Sequence, residues 1–234
     1  MTLIAPYRSS LTSPHPSSTS LPPSSQDDTP LSKGTLRKTF AAARRELSIH
    51  EVKEKSAAVQ HQLTALSVVQ QAECLHAFWP IARENEVDIR AFVDAQYKRG
   101  ATVALPVVTC SNPDAPAMTQ RAFTGRDDLK ENRWGIMEPV DGPFVDPGDI
   151  DLVLIPALGA GRDGHRIGHG WGYYDRFLAT IPGAIRIVLA FDTCIRDTVP
   201  SDAHDVPAHI VVTESGIIRA HKHSADICRN GRTA

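Results

Sequence analysis

Residues 151–178 read DLVLIPALGAGRDGHRIGHGWGYYDRFL, and this stretch decides the fold. An apolar run at 152–155 has the length and β-branched content of a buried strand. It feeds a loop carrying six glycines between Gly159 and Gly172. The loop closes on Tyr173-Tyr174-Asp175-Arg176, which opens a helix. Strand, glycine loop and helix in succession predict an α/β unit. Glycine lets backbone N–H groups approach a ligand closely. Consecutive N–H groups beside a helix N-terminus and an arginine make an anion site, most naturally for phosphate. Asp175 adds a hard oxygen ligand suited to Mg²⁺. The competing reading is an ordinary flexible surface loop. Two tyrosines and an aspartate in register after the glycines argue against it.

Outward from this stretch, the chain alternates strands and helices. Leu36, Phe40, Ala43 and Leu47 recur at helical spacing, with Lys and Arg on the opposite face. Ser48 is placed to cap a second helix over 50–65. Residues 74–78 read as a strand, 88–99 as a helix stopped by Gly100, and 101–108 as a β-rich run. Residues 111–117 and 139–149 read as Pro- and Asp-rich loops. A helix follows over 173–180, and strands over 186–191 and 210–213. This order predicts an α/β fold with a mainly parallel sheet. Ligands in such sheets bind beyond the carboxyl ends of the strands.

Composition narrows the class. Of 234 residues, 41% are hydrophobic and 22% charged, as in a globular enzyme. A net charge of −2 lacks the basic face of a nucleic-acid protein. No apolar run is long enough to span a membrane, and the N-terminus lacks a secretory pattern. Four scattered cysteines without a CxxC pair suit the cytoplasm. The Ser/Thr/Pro-rich segment 1–31 is expected to be a disordered tail, 32–222 a single domain, and 223–234 a flexible end. His165, His169, His204 and His209 lack the tight pairing of a zinc site.

The glycine segment matches neither a P-loop nor a dinucleotide fingerprint. It resembles the signature of the 5-formyltetrahydrofolate cyclo-ligase family, also called 5,10-methenyltetrahydrofolate synthetases. The signature G-x-R-[LI]-G-x-G-x-G-Y-Y-D-x-[FY]-L stands here as GHRIGHGWGYYDRFL from Gly164 to Leu178. Lys33-Gly34-Thr35-Leu36-Arg37 resembles the family's opening K-x-x-L-R. Glu86-Val87-Asp88 resembles its E-[IV]-[DE], and Trp134-Gly135-Ile136 with Pro139 its W-x-I-x-x-P. Phe191 with Val199-Pro200 and Asp205, then Val211-Val212-Thr213-Glu214, resemble its closing segments. Met118 lies near a family methionine.

The resemblance implies a three-layer α/β/α fold like that of phosphosugar isomerases and CoA transferases. It implies ATP- and Mg²⁺-dependent cyclisation of 5-formyltetrahydrofolate to 5,10-methenyltetrahydrofolate by a monomer acting on small molecules. Catalytic roles would fall to Lys33, Arg37, Arg166 and Tyr173. ATP would meet Lys33, Gly34, Thr35, Leu36 and Arg37, together with Arg166, Ile167, Gly168, His169, Gly170, Trp171, Gly172, Tyr173 and Tyr174. The folate would meet Ile81, Glu86, Trp134, His169 and Tyr173. Asp175 and Asp205 would hold the metal.

The residues themselves leave alternatives open. A basic helix face is usually only solvated, acids at a helix start answer its dipole, and a loop tryptophan also packs. The chain also departs from the pattern. Ala157 replaces a glycine, Ile89 a threonine, Ala160-Gly161 a Phe-Asp pair, and Cys194 a glutamine. Gly161 and Cys194 motivate an alternative, a nucleotide-binding paralogue without folate turnover.

Overall fold

The computed structural model describes residues 31–112 and 114–220. The tails expected over 1–31 and 223–234 lie outside the described residues, Leu31 excepted. The helices are α1 (Lys33–Arg45), α2 (Ile49–Ala65), α3 (Ser67–Gln71), α4 (Arg90–Lys98) and α5 (Tyr173–Thr180). The strands are β1 (Cys74–His76), β2 (Thr102–Cys110), β3 (Ala117–Ala122), β4 (Leu129–Glu131), β5 (Met137–Pro139), β6 (Leu152–Pro156), β7 (Gly159–Gly161), β8 (Arg166–Ile167), β9 (Ile185–Leu189), β10 (Ile195–Arg196), β11 (Ile210–Val212) and β12 (Ile217–Arg219).

Seven strands form the central sheet in the order β12-β11-β9-β6-β1-β2-β3. The five inner strands run parallel, and β12 and β3 close the edges antiparallel. Alternate side chains of each inner strand serve opposite faces. Leu152, Leu154, Ile187, Leu189, Ile210 and Val212 pack with α2, α3 and α4 through Val59, Leu63, Val69, Phe92 and Val93. Their neighbours Val153, Ile155, Val188 and Val211 pack with α5 through Phe177, Leu178 and Ile181. Covering both faces requires unbroken apolar strands, which is why β6 lacks polar alternation. The layers are therefore helices, sheet, helix, as expected.

Helix α1 stands apart from both layers. Leu36 and Phe40 pack with Leu158, Ile167 and Cys194 in a third cluster. Ser32 caps it by accepting from the Thr35 N–H. The expectation that every Arg of this helix faces outward fails at Arg44, which is 3% exposed. Its guanidinium donates to the Glu84 carbonyl. Asn85, in a left-handed conformation, donates back to the Arg44 and Leu47 carbonyls. These bonds fasten the end of α1 to the segment that carries Glu86.

Three further readings need correction. The loop expected over 111–117 is shorter, because β3 begins at Ala117. Its sequence AMTQRA is polar, yet Gln120 is buried. The helix expected from residue 88 starts at Arg90. Asp88 sits before it and accepts from the Arg90 N–H. The first half of the glycine segment is also not an open loop. Strands β7 and β8 pair as a hairpin, and β10 pairs alongside β7.

The buried His76 has no hydrogen-bond partner on either ring nitrogen among the described residues. It lies against the rings of Tyr174 and Phe177. Burial pushes its pKa from 6.5 down to about 3. The unfolded chain therefore binds the proton more readily, so stability is full above 6.5 and falls as pH drops toward 3. His76→Gln should flatten this loss by up to about 1.4 kcal/mol per pH unit. Urea unfolding across that window measures the slope, and an unchanged slope would contradict the assignment. Phe40→Ala should cost about 3–5 kcal/mol by the same measurement, because Phe40 is fully buried. A cost under about 1 kcal/mol would show that α1 is not anchored there.

Candidate active site

The strand order reverses between β1 and β6. The chain leaves β1 toward β2 on one side and later enters β6 on the other. Loops after these two strands diverge and open a crevice at the carboxyl ends. A cavity of about 570 Å³ lies there, a volume suited to a small organic ligand. The Phe78–Glu86 segment after β1, the glycine segment after β6, the start of α1 and the 202–205 turn all line it.

The six glycines divide into two sets. A side chain at Gly159 would collide with the Phe40 ring and the Cys194 carbonyl, and one at Gly164 with the Ala208 carbonyl. Gly161 is crowded by the Asp163 carboxylate. These three permit packing of the hairpin. Gly168, Gly170 and Gly172 instead line the cavity. Gly170 (φ +95°) and Gly172 (φ +76°) adopt backbone conformations that L side chains rarely tolerate. Gly172 is the N-cap of α5 and supplies no side-chain cap. The first N–H groups of α5 thus remain available to a ligand.

Several cationic groups line the cavity. Arg37 donates through Nε to the Gly168 carbonyl at 3.1 Å and has no carboxylate partner among the described residues. Lys33 donates to Asp202 at 2.6 Å and, in a shorter contact, to Asp205. Burial pulls the Lys33 pKa down, but the two carboxylates outweigh it and leave it raised. Burial opposes ionisation of Asp205, and Lys33 with the Asp202 N–H outweighs it, leaving the Asp205 pKa lowered. Arg166, 7% exposed in its side chain, donates to Asp175 at 2.6 Å and to the Val206 carbonyl at 2.7 Å. Asp175 also accepts from the Val206 N–H. Arg166 is thus a clamp joining the foot of the glycine segment to α5 and the 206 loop.

Apolar and aromatic residues line the cavity as well, namely Phe78, Trp79, Ile81, Met118 and Trp134. Glu86 lies among them, accepting from the Ile81 N–H at 2.9 Å. Arg133 sits over the Trp134 ring at 4.1 Å, and Arg83 donates to the Trp134 carbonyl at 2.5 Å. The Tyr173 hydroxyl donates to the Cys110 carbonyl at 3.0 Å.

The cavity gathers most of the expected site residues: Lys33, Arg37, Ile81, Glu86, Trp134, Arg166–Asp175 throughout, and Asp205. Three do not line it. Leu36 is buried under α1 in the third cluster, while Gly34 and Thr35 lie on the exposed first turn. The helical spacing that brings Lys33 and Arg37 to the cavity turns these three away from it. Asp205 groups with Asp202 and His204, whose ligand atoms lie within 4.8 Å of one another. Asp175 stands outside that group. Gly161 and Cys194, the departures behind the paralogue alternative, do not line the cavity. Cys194 is fully buried, its thiol facing the Phe40 carbonyl at 3.8 Å. Arg83, Trp79, Asp202 and Glu138 line the cavity without having been expected. No short motif marks them, because they meet only through the fold.

Known proteins resemble this chain along most of its length. Residues 30–214 match the model of the 5-formyltetrahydrofolate cyclo-ligase family. The chain is 28% identical to a 5-formyltetrahydrofolate cyclo-ligase of Mycolicibacterium smegmatis, over 81% of this chain and 97% of that protein. It is 25% identical to the enzyme of that name from Mus musculus, over 78% and 93%. The solved structure of Aquifex aeolicus 5,10-methenyltetrahydrofolate synthetase superposes with a TM-score of 0.71 at 28% identity, covering 86% of this chain and 95% of that one. No helix among the described residues is long and apolar enough to cross a membrane. A family match across most of the chain, on a fold that brings the signature residues to one cavity, makes this protein a member of the 5-formyltetrahydrofolate cyclo-ligase family.

Proposed function

We propose that the cavity binds ATP at its cationic groups and 5-formyltetrahydrofolate at its aromatic groups, and closes the folate ring to 5,10-methenyltetrahydrofolate. The observation that carries this reading is that cationic and aromatic groups line one cavity. Lys33, Arg37, the glycine N–H groups and the start of α5 form an anion cradle beside the aromatic wall of Phe78, Trp79 and Trp134.

The formyl group on N5 is an amide and a poor electrophile. Transfer of the γ-phosphoryl group to its oxygen makes a leaving group, which N10 then displaces. Such a transfer asks the protein mainly to align reactants and to screen charge. Arg37 and Lys33 screen the phosphates. The Gly168–Gly172 backbone approaches them closely because no side chain intervenes. Glu86 and the aromatic wall hold the pterin, whose flat ring suits stacking on an indole.

The oxygen donors of Asp175, Asp202 and Asp205 suit a hard cation. When bound, Mg²⁺ would neutralise charge on the transferring phosphoryl group. Each of these carboxylates is now matched by Lys33 or Arg166. Phosphate arriving at the cations would leave the carboxylates available as ligands.

Appearance of the methenyl chromophore from 5-formyltetrahydrofolate, dependent on ATP and Mg²⁺, tests the reading. Nucleotide binding with no methenyl product would sink it. Arg37→Ala should weaken ATP by about ten- to hundredfold, the scale of one charge-assisted contact. Folate binding measured without ATP should change by less than about threefold. Gly170→Val should abolish ATP binding, because a Cβ there stands 3.1 Å from the Arg37 guanidinium on a strained backbone. Tight ATP binding by the folded variant, read by calorimetry, would remove the glycine segment from the nucleotide site.

Asp205 and Asp175 should separate metal binding from stability. Asp205→Asn should raise the Mg²⁺ concentration for half-maximal turnover by about tenfold or more. Its loss of stability should stay under about 1 kcal/mol, since Lys33 keeps Asp202 as a partner. Asp175→Asn should also cost about 3–5 kcal/mol of stability, because it leaves the Arg166 charge without its partner. Unchanged Mg²⁺ dependence in both variants would place the metal elsewhere.

A further inference from the structure

Ring closure leaves one proton to be removed, and the cavity holds one arrangement built to take it. His169, from the glycine segment, faces Glu86 across the cavity, with its Nε2 3.9 Å from the Glu86 Oε1. The Glu86 side chain is 9% exposed and the His169 side chain 48% exposed. The second carboxylate oxygen of Glu86 is occupied by the Ile81 N–H, which fixes the direction in which Oε1 points. A buried, pinned carboxylate beside the Nε2 edge favours the tautomer that carries its proton on Nε2. That tautomer leaves the Nδ1 lone pair free to accept a proton. At 3.9 Å the two are not yet hydrogen-bonded. Catalytic contacts of this kind commonly tighten only when substrate is bound.

We propose that His169, oriented by Glu86, is the base that removes the N10 proton during ring closure; the inference rests on the cyclo-ligase reading above. The N10 lone pair forms a bond to the phosphorylated formyl carbon, giving an adduct in which N10 bears its hydrogen and a positive charge. His169 Nδ1 takes that proton. The electron pair returned to N10 expels phosphate as the carbon–oxygen bond breaks, and the N5–CH–N10 amidinium remains. The imidazolium, paired with Glu86, passes its proton to water through its exposed edge. No electrons leave or enter the system.

Several other groups on the cavity are otherwise engaged, and the Glu84 carboxylate lies 3.9 Å from the Arg83 guanidinium. The Tyr173 hydroxyl donates to the Cys110 carbonyl. Burial raises the Tyr174 pKa far above its usual value. Glu138 accepts from the Val108 N–H. Asp175, Asp202 and Asp205 pair with cations, and His204 lies beside Asp205 at 3.8 Å. The charged groups around His169 and its partner are Glu86 from the segment after β1, the buried Arg44 guanidinium of α1 whose charge acts on Glu86, the Arg37 guanidinium of α1 against Gly168 and Gly170, and the Arg166–Asp175 pair at the loop's foot. Arg37 is expected to be drawn to phosphate once nucleotide binds.

The test compares the full-length wild type with His169→Gln and His169→Ala. Wild-type methenyl formation is the control: its absence ends the cyclo-ligase reading itself, whatever the variants do. Given that activity, His169→Gln should lower kcat by roughly 10²–10⁴, the usual contribution of a general base. KM for ATP and folate should shift far less than kcat falls, although His169 would also touch both ligands. A base must be unprotonated to act, so wild-type kcat should fall on the acid side, and the variant should lose that limb. Rapid quench should still show ADP forming at close to the wild-type rate in the first turnover, with methenyl product delayed. Added imidazole should restore part of the His169→Ala rate. The proposal is overturned if His169→Gln keeps kcat within about threefold with the acid limb intact. It is equally overturned if ADP and methenyl formation slow together, because His169 would then act in binding or phosphoryl transfer.

Discussion

Strand β6 has no position between Leu152 and Ile155 at which a polar side chain could meet water. Both of its faces are covered, by α2–α4 through Leu152 and Leu154 and by α5 through Val153 and Ile155. A strand buried in this way can carry chemistry only beyond its end. The neighbouring β1 is under the same constraint, with Leu75 and His76 both fully buried. The functional groups are thereby pushed to the carboxyl ends of these two strands, where their connections part. The cavity, its glycine cradle and the Glu86 segment all follow from that exclusion.

Past the strand end, the hairpin of β7 and β8 turns a glycine-rich segment into a rigid support. Gly159 and Gly164 are small because Phe40, Cys194 and Ala208 press against them. The packed hairpin ends at Ile167, which is buried in the third cluster, and the more exposed turn at Gly168–Gly172 begins there. Close packing under one half of the segment thus fixes where the other half presents its N–H groups. Helix α1 contributes from both of its faces. Leu36 and Phe40 hold it against the hairpin, and Lys33 and Arg37 project into the cavity.

Two of the site's cations are neutralised by its carboxylates, while Arg37 has no carboxylate partner among the described residues. Lys33 is shared by Asp202 and Asp205, and Arg166 is clamped to Asp175. Unpaired charges in a partly buried cleft would be costly, so these pairs keep the site stable while ready to exchange partners. An incoming phosphate and its metal form a complementary pair of their own. They can replace an internal pair without leaving a bare charge behind.

Much of this was legible in the chain itself. The apolar run at 152–155, the glycines after it and the Tyr173 start of α5 are local features, and local physics sets them: strand burial, backbone freedom and helix capping. The same holds for Ser48, whose side chain and Glu51 form a capping box at the start of α2. Residues that depend on distant partners were read less well. Arg44 looked like a solvated cation but is buried, because its acceptor is the Glu84 carbonyl forty residues away. Residues 118–122 carried no element reading, yet with Ala117 they form an edge strand, because β2 supplies the ladder. Leu36 belonged to a motif yet turns inward, because helical periodicity rather than motif membership decides where a side chain points. Arg166 was read as a phosphate ligand, whereas the fold also makes it a clamp, since it donates to both Asp175 and Val206, which are bonded to each other. Sequence carries the types of group available and their spacing along the chain. Which of them meet, and which are already spent on one another, depends on contacts between segments far apart in sequence, and those exist only once the sheet has assembled.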